Sequence, residues 1–439
     1  MKTLHTIPVL AAALAVASPL IAAPVQLEVR PDQKVLHVDD PACIIRIELK
    51  GDDIAPSDKR LPINLALVLD RSGSMRGAKL ERAIQAAGVA LDQLNPEDTV
   101  SVVIYDDQVE VLVPPQPAKH PDRIFDRLQS IQAGGSTALY DGVKTGARQL
   151  EEFLDEEKIN RVLLLSDGLA NVGPSSSRAL SSLGREVSRR GIAVTTVGLG
   201  DDYNEDLMTA LAEASQANYY YVSDPEELPK IFAEELRTMK SVVARRIELI
   251  IELPEGVRPR GVMGRPDLEF EGNRVKIDLA TLNALESRQF LIECAPETDA
   301  EKMELANVQV RYETLEGEKR DASKRLSVNR TSDKAAAEAS VDREVLASVA
   351  MTENRLAKEE AVALADEGKV DEAGEVLKRQ IRRNAVVAQQ LPAAPGAELE
   401  EENASLSETE QELKSNGGLG KSTRKRIQYE NYQDKFDKR

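Results

Sequence analysis

Tryptophan is absent from the 439 residues, and the aromatic share is only 3%. Any core must therefore be aliphatic, and the 41% hydrophobic content is ample for one. Cysteine occurs twice, at Cys43 and Cys294, which excludes a disulfide-rich scaffold and a cysteine-based structural zinc site. Three histidines, His5, His37 and His120, leave little for imidazole catalysis or a histidine-bound metal. Positive charge is also short: 57 basic residues face 75 acidic ones, for a net charge of -18. A phosphate backbone is repelled by such a surface, so a general nucleic-acid binder is excluded. Beyond the N-terminal stretch no run of about 18 apolar residues occurs, so the sequence offers nothing to build a helical transmembrane pore.

What is present begins with a leader pattern. Met1 to Ala23 reads MKTLHTIPVLAAALAVASPLIAA: one early lysine, an apolar run, then small residues near Ala17 and Ala22/Ala23. Pro8 and Pro19 interrupt it, so a cleaved signal peptide is the expectation over 1–23, with an uncleaved anchor as the alternative. The mature chain is then exported, periplasmic or secreted, and soluble. Export bears on the cysteines. Alternation places Cys43 with Ile45 and Ile47, and Cys294 with Phe290 and Ile292, on inward strand faces. A pair of buried thiols and a disulfide both satisfy that pattern.

Four segments follow. Residues 24–60 carry short alternating runs that read as strands (VQLEVR, KVLHV, CIIRIEL). Over 61–240 the nearly continuous apolar runs LALVLD, VSVVIY, RVLLLS, AVTTVG and NYYYV alternate with amphipathic stretches, which predicts an α/β unit with a doubly wound, mostly parallel sheet. Alternating strands return over 241–330. A small β-sandwich made from both flanking segments, with the α/β unit inserted, is the simplest architecture. Residues 335–392, rich in Ala, Glu, Lys and Leu, read as a helical hairpin turning at Gly368. The rest, 393–439, reads as a charged, disordered tail: 396–415 hold seven Glu and one Lys, whereas 416–439 hold seven basic residues against three acids. Docking of this tail in a complex is the functional alternative.

The chemistry is concentrated where buried strands end. LVLD stops at Asp70, and Ser72, Gly73 and Ser74 form a tight polar loop before a helix. Thr137, in AGGSTALYDG, precedes another helix, and Asp167 terminates RVLLLS. Ligands of parallel sheets collect outside the carboxyl ends of strands, so Asp70, Ser72, Ser74, Thr137 and Asp167 are expected at one edge. All five are hard oxygen donors, which suits Mg²⁺, with Ca²⁺ or Mn²⁺ as alternatives, and disfavours Zn²⁺ and Cu²⁺. With only two carboxylates among them, a bound divalent ion keeps its appetite for an outside acid. The competing local reading has Asp70 and Ser72 capping the helix.

This Asp70-x-Ser72-x-Ser74 pattern, with Thr137 and Asp167 downstream, resembles the metal-ion-dependent adhesion site of von Willebrand factor type A domains. The resemblance covers about residues 61–240, including GLGDDYNEDLM at 198–208, and the layout is similar to bacterial exported proteins that flank this domain with β segments. Some relatives carry the label of calcium-activated chloride channel homologues. The resemblance implies six strands with helices on both faces. It also implies direct metal coordination by Ser72, Ser74 and Thr137, with Asp70 and Asp167 acting largely through water, and a partner protein offering an exposed Asp or Glu.

Two other motifs are set aside. GGLGKST at 417–423 has Ser415 where a phosphate loop needs glycine. Asp202, Asn204, Asp206 and Glu213 match four positions of a calcium loop, but Leu207 stands at its glycine position, so helix capping is the better reading. The expectation is an exported, metal-dependent protein-binding or adhesion module that is not an enzyme. The alternatives are a hydrolase using the same ion and a subunit in which the ion only stabilises the fold.

Overall fold

A computed structural model describes residues 23–40, 42–53, 60–298 and 300–436. The expected signal peptide lies outside the described residues except for its last position. Among the described residues nine strands form two facing antiparallel-rich sheets. One runs in the order Val25–Pro31, Cys43–Gly51, Ser287–Pro296, Val257–Val262. The other runs Arg274–Asn283, Val242–Glu252, Lys302–Glu313, Lys319–Thr331, Val35–His37. Each sheet takes strands from both sides of the inserted unit. Alternation does the work: Ile45, Ile47 and Leu49 meet Ile247, Leu249, Ile251 and Ile292 in one aliphatic core. Register places Cys43 directly opposite Cys294.

The inserted unit is a six-stranded sheet in the order Val109–Pro117, Thr99–Tyr105, Ile63–Asp70, Ile159–Ser166, Ile192–Leu199, Tyr219–Val222. Only the Val109–Pro117 edge strand is antiparallel. Its pattern, ending VPPQP, gave no strand signal in the sequence. Ile63–Asp70 is buried along its whole length. Leu65, Leu67 and Leu69 face helices Ala78–Asp92 and Leu228–Lys240, while Ala66 and Val68 face Leu139–Glu151 and Ser177–Ser188. A strand buried on both faces reads as a continuous apolar run for this reason. The chain leaves Ile63–Asp70 toward one side of the sheet and Ile159–Ser166 toward the other. The switch point between them opens a crevice at their carboxyl ends.

The C-terminal region corrects the sequence reading. The hairpin is there, Arg343–Asp366 and Val370–Ala388 turning at Gly368, whose φ of 79° suits glycine. The stretch read as a disordered tail instead forms two more helices, Ala393–Asn416 and Lys421–Lys435. Composition misled because the apolar groups are few but correctly spaced. Leu399, Leu406 and Leu413 recur every seventh residue and are buried, the last two against Ala361, Ala373 and Leu377 of the hairpin. The charge blocks are neutralised in contacts: Lys358, itself buried, meets Glu402 at 2.8 Å and Glu430 at 3.2 Å. The last helix lies on the sheet edge, where Tyr432 and Tyr429 pack edge-on against Tyr219, with centroids 5.7 and 6.0 Å away. Among the described residues no helix is long and apolar enough to cross a membrane.

Candidate metal centre

Asp70 closes the central strand and is fully buried. One carboxylate oxygen accepts the Ser72 N–H at 2.7 Å, an aspartate turn that bends the chain out of the sheet. The other accepts the Ser166 hydroxyl at 2.7 Å, tying the two strand ends that flank the switch point. Burial pushes the Asp70 carboxyl up to about 6, against the hydrogen bonds from Ser72 and Ser166 that favour its charge. The chain then makes a single turn at Gly73–Met75 and enters helix Ala78–Asp92. This arrangement is more than a helix cap, since neither Asp70 nor Ser72 caps that helix; Gly77 holds the position without a side-chain bond.

Ser72 and Ser74 present their hydroxyls 3.1 Å apart, and Ser74 donates to Asp167 Oδ1 at 2.7 Å. The Thr137 loop is held against them by backbone bonds. The Gly73 N–H reaches the Gly135 carbonyl at 3.1 Å, and the Gly134 N–H reaches that of Arg71 at 2.8 Å. Gly135 takes φ 74°, and a Cβ there would strike the Asp107 carboxylate. The Thr137 N–H donates to Asn171 Oδ1 at 2.8 Å, which fixes this loop to the one after Asp167.

The three hydroxyls converge on one small space. A methyl placed on Gly168 would lie 3.1 Å from Thr137 Oγ1, 3.4 Å from Ser74 Oγ and 3.8 Å from Ser72 Oγ. The glycine thus leaves open a cradle ringed by hydroxyl oxygen, with Asp167 adjacent. That donor set fits a hard divalent cation. Among the described residues no three His, Cys, Asp or Glu side chains gather as a metal cluster, so hydroxyls dominate wherever an ion sits here.

Ser72, Ser74, Thr137 and Asp167 line a single open cleft of about 670 Å³, and Asp70 lies beneath it, bonded to Ser72. Four contributors have roles that the sequence did not assign, although two of them, Gly168 and Asn171, lie in the 168–175 loop expected beside Asp167 to shape partner fit. Lys79 places its ammonium 2.5 Å from Asp167 Oδ2, so positive charge already stands at that carboxylate. Ser166 and Asn171 act as struts; only the strand-terminal Ser-Asp pair in RVLLLSDG hinted at the first. Gly168 supplies the space. The acidic loop 201–206 forms another wall, where Asn204 caps the helix from Glu205 by accepting the Leu207 N–H at 3.2 Å. Lys421, Arg424 and Lys425 of the last helix also line the cleft, in direct ion pairs with this loop.

Comparison with known proteins bears on this architecture. Residues 64–234 match the von Willebrand factor type A domain family. The protein sll0103 of Synechocystis sp. is 32% identical over 209 residues, 48% of this chain and 48% of that protein. Human inter-alpha-trypsin inhibitor heavy chain H4 is 28% identical over 160 residues, 35% of this chain and 17% of the heavy chain. The chain thus spans about half or less of these relatives' length. A solved von Willebrand factor type A structure from Catenulispora acidiphila superposes with a TM-score of 0.71 at 16% identity, covering 93% of this chain and 96% of that one. The shared fold therefore extends over the sandwich and the terminal helices as well as the central sheet.

Proposed function

This chain is a von Willebrand factor type A domain protein, and we propose that it is an exported module that captures a protein partner through a divalent cation. Domains of this family commonly mediate metal-dependent protein interactions. The observation that carries the reading is the convergence of the Ser72, Ser74 and Thr137 hydroxyls around the space beside Gly168.

Ser72, Ser74 and Thr137 would hold the ion, Mg²⁺ in this reading, with Asp70 and Asp167 supplying the charge behind them. The bound ion supplies a Lewis-acidic position for a carboxylate of the partner. The chain's own residues do the rest. Asp70 orients Ser72 and anchors to Ser166, so the first loop is rigid before any ligand arrives. Asn171 locks Thr137 in place. Lys79 holds Asp167 and limits repulsion between the two carboxylates. Leu169, 59% exposed at the rim, offers the partner an apolar foothold. Binding chemistry also fits the neutral character of the hydroxyl donors, which leaves the ion hungry for an external anion. Export follows from the apolar, small-residue N-terminal pattern.

The test is capture of partners from an exported protein fraction by the immobilised chain. A partner should be retained in Mg²⁺ and released by EDTA, and Ser72→Ala should retain none. Equal retention under all three conditions refutes the proposal.

A further inference from the structure

The cleft beside the candidate ion is a composite of two distant parts of the chain. Five carboxylates line it, Asp167 at the ion end and Asp201, Asp202, Glu205 and Asp206 along the wall. Three cations line it as well, and all three come from the first turns of the terminal helix: Lys421, Arg424 and Lys425. A divalent ion would bring this lining to electrical balance. Without the helix the same lining would remain strongly negative even with the ion bound. On a chain of net charge -18, a carboxylate ligand approaching such a surface is repelled unless positive charge is local.

The three cations are not equivalent. Lys425 is buried, 2.7 Å from Glu205 and over the Tyr203 ring. Arg424 bridges Glu205, Asp206 at 3.2 Å and Asp366 of the hairpin at 2.8 Å. These two fasten the helix to the loop that walls the cleft. Lys421 differs: its side chain is 73% exposed, and its partner Asp202, 3.0 Å away, is 71% exposed. An exposed pair of this kind contributes little to stability and exchanges readily. Its ammonium is available to a second anion at the cleft mouth.

We propose that the terminal helix completes the ligand-binding cleft and that Lys421 is a specificity residue, selecting an acidic protein segment. One carboxylate of that segment meets the ion, and a second acidic side chain pairs with Lys421. This deepens the function proposed above and rests on it. Arg424 and Lys425 act as positioning residues, holding both Lys421 and the 201–206 loop in register with the hydroxyl cradle.

The probe is a displayed library of short peptides with one fixed glutamate and random flanks, selected on the full-length chain in Mg²⁺ and eluted with EDTA. The wild-type chain should enrich a second Asp or Glu about threefold over the input, the scale of one exposed ion pair. Lys421→Glu should abolish that enrichment and favour Lys or Arg flanks, whereas Asp202→Asn, which frees the ammonium, should strengthen the acidic preference. Both sites are exposed, and circular dichroism should show both variants folded as the wild type is. If Mg²⁺-dependent peptides are recovered without an acidic second residue, or if Lys421→Glu leaves the selection unchanged, the role of Lys421 is refuted while metal-dependent binding stands. If no peptide depends on Mg²⁺, the functional reading beneath it fails too.

Discussion

Gly168→Ala separates the cradle from the fold more cleanly than removal of any ligand. The backbone at Gly168 is not in the left-handed region, so alanine meets no conformational penalty there. The added methyl would touch Thr137 Oγ1 at 3.1 Å, with Ser74 Oγ at 3.4 Å and Ser72 Oγ at 3.8 Å. A hydroxyl rotor can yield the few tenths of an ångström this requires, so the ion-free protein should lose only about 1 kcal/mol, the low end for an added methyl. The space itself is the loss. An ion bonded to those oxygens at about 2.1 Å on the Gly168 side, where the proposal places it, would lie too close to the methyl carbon to share the space. For the wild type, Mg²⁺ at about a hundred times its dissociation constant should add about 2.7 kcal/mol of stability. In a domain of this size that raises the melting temperature by roughly 5–10 °C. Thermal unfolding with Mg²⁺ and with EDTA, alongside titration calorimetry, provides the assay. The variant should melt near the wild-type temperature in EDTA and gain nothing from Mg²⁺. A wild-type Mg²⁺ shift in Gly168→Ala would show that the ion does not occupy the space between these hydroxyls and Gly168.

Other consequences can be measured separately. The Cys43 and Cys294 sulfurs are 3.3 Å apart and buried, on residues facing each other across paired strands, so oxidation should join them with little rearrangement. Protein oxidised with glutathione disulfide should be about 2 Da lighter by intact mass and should melt higher than its reduced form; unchanged mass would contradict the alignment. Burial pushes the Asp32 carboxyl up to about 6 despite backbone amide bonds that favour its charge. Its folded-state value lies above the unfolded one, so the fold prefers the neutral acid. Unfolding free energy should therefore fall as pH rises from about 4 to about 6, by on the order of 2 kcal/mol after allowance for partial exposure, and Asp32→Asn should remove that part of the slope in denaturant titrations. Tyr432 is buried against Tyr219, and Tyr432→Ala should cost about 3 kcal/mol of helix docking. Limited trypsin digestion should then cut at Lys421 or Arg424 far faster than in the wild type; equal rates would show that the ring does not anchor the helix.

Much of the α/β unit is legible because its strands are buried on both faces. LALVLD and RVLLLS announce themselves as continuous apolar runs, and their terminal acids mark the edge where ligands collect. Val109–Pro117 was not legible, since an edge strand needs neither continuous apolarity nor freedom from proline. The terminal helices failed for a different reason. Their seven-residue leucine spacing was present at Leu399, Leu406 and Leu413, but the charge blocks around it matched the composition of a solvated tail. Composition counts charges without showing their partners, and here Lys358, Glu402, Arg424 and Glu205 find theirs far along the chain. At the site, Asp70, Ser72, Ser74, Thr137 and Asp167 followed from strand ends and spacing. Lys79 and Lys421 did not, because a lysine on a helix looks the same whether it faces water or a carboxylate.

The central claim is a single cation among the hydroxyls of Ser72, Ser74 and Thr137. Crystals of the full chain grown in Mn²⁺ and measured at the manganese absorption edge give the direct answer. The account predicts one anomalous peak within about 2.2 Å of those three oxygens, beside Gly168 at the end of the cleft. Well-ordered density for the three loops with no such peak, and Lys79 alone facing Asp167, would contradict it.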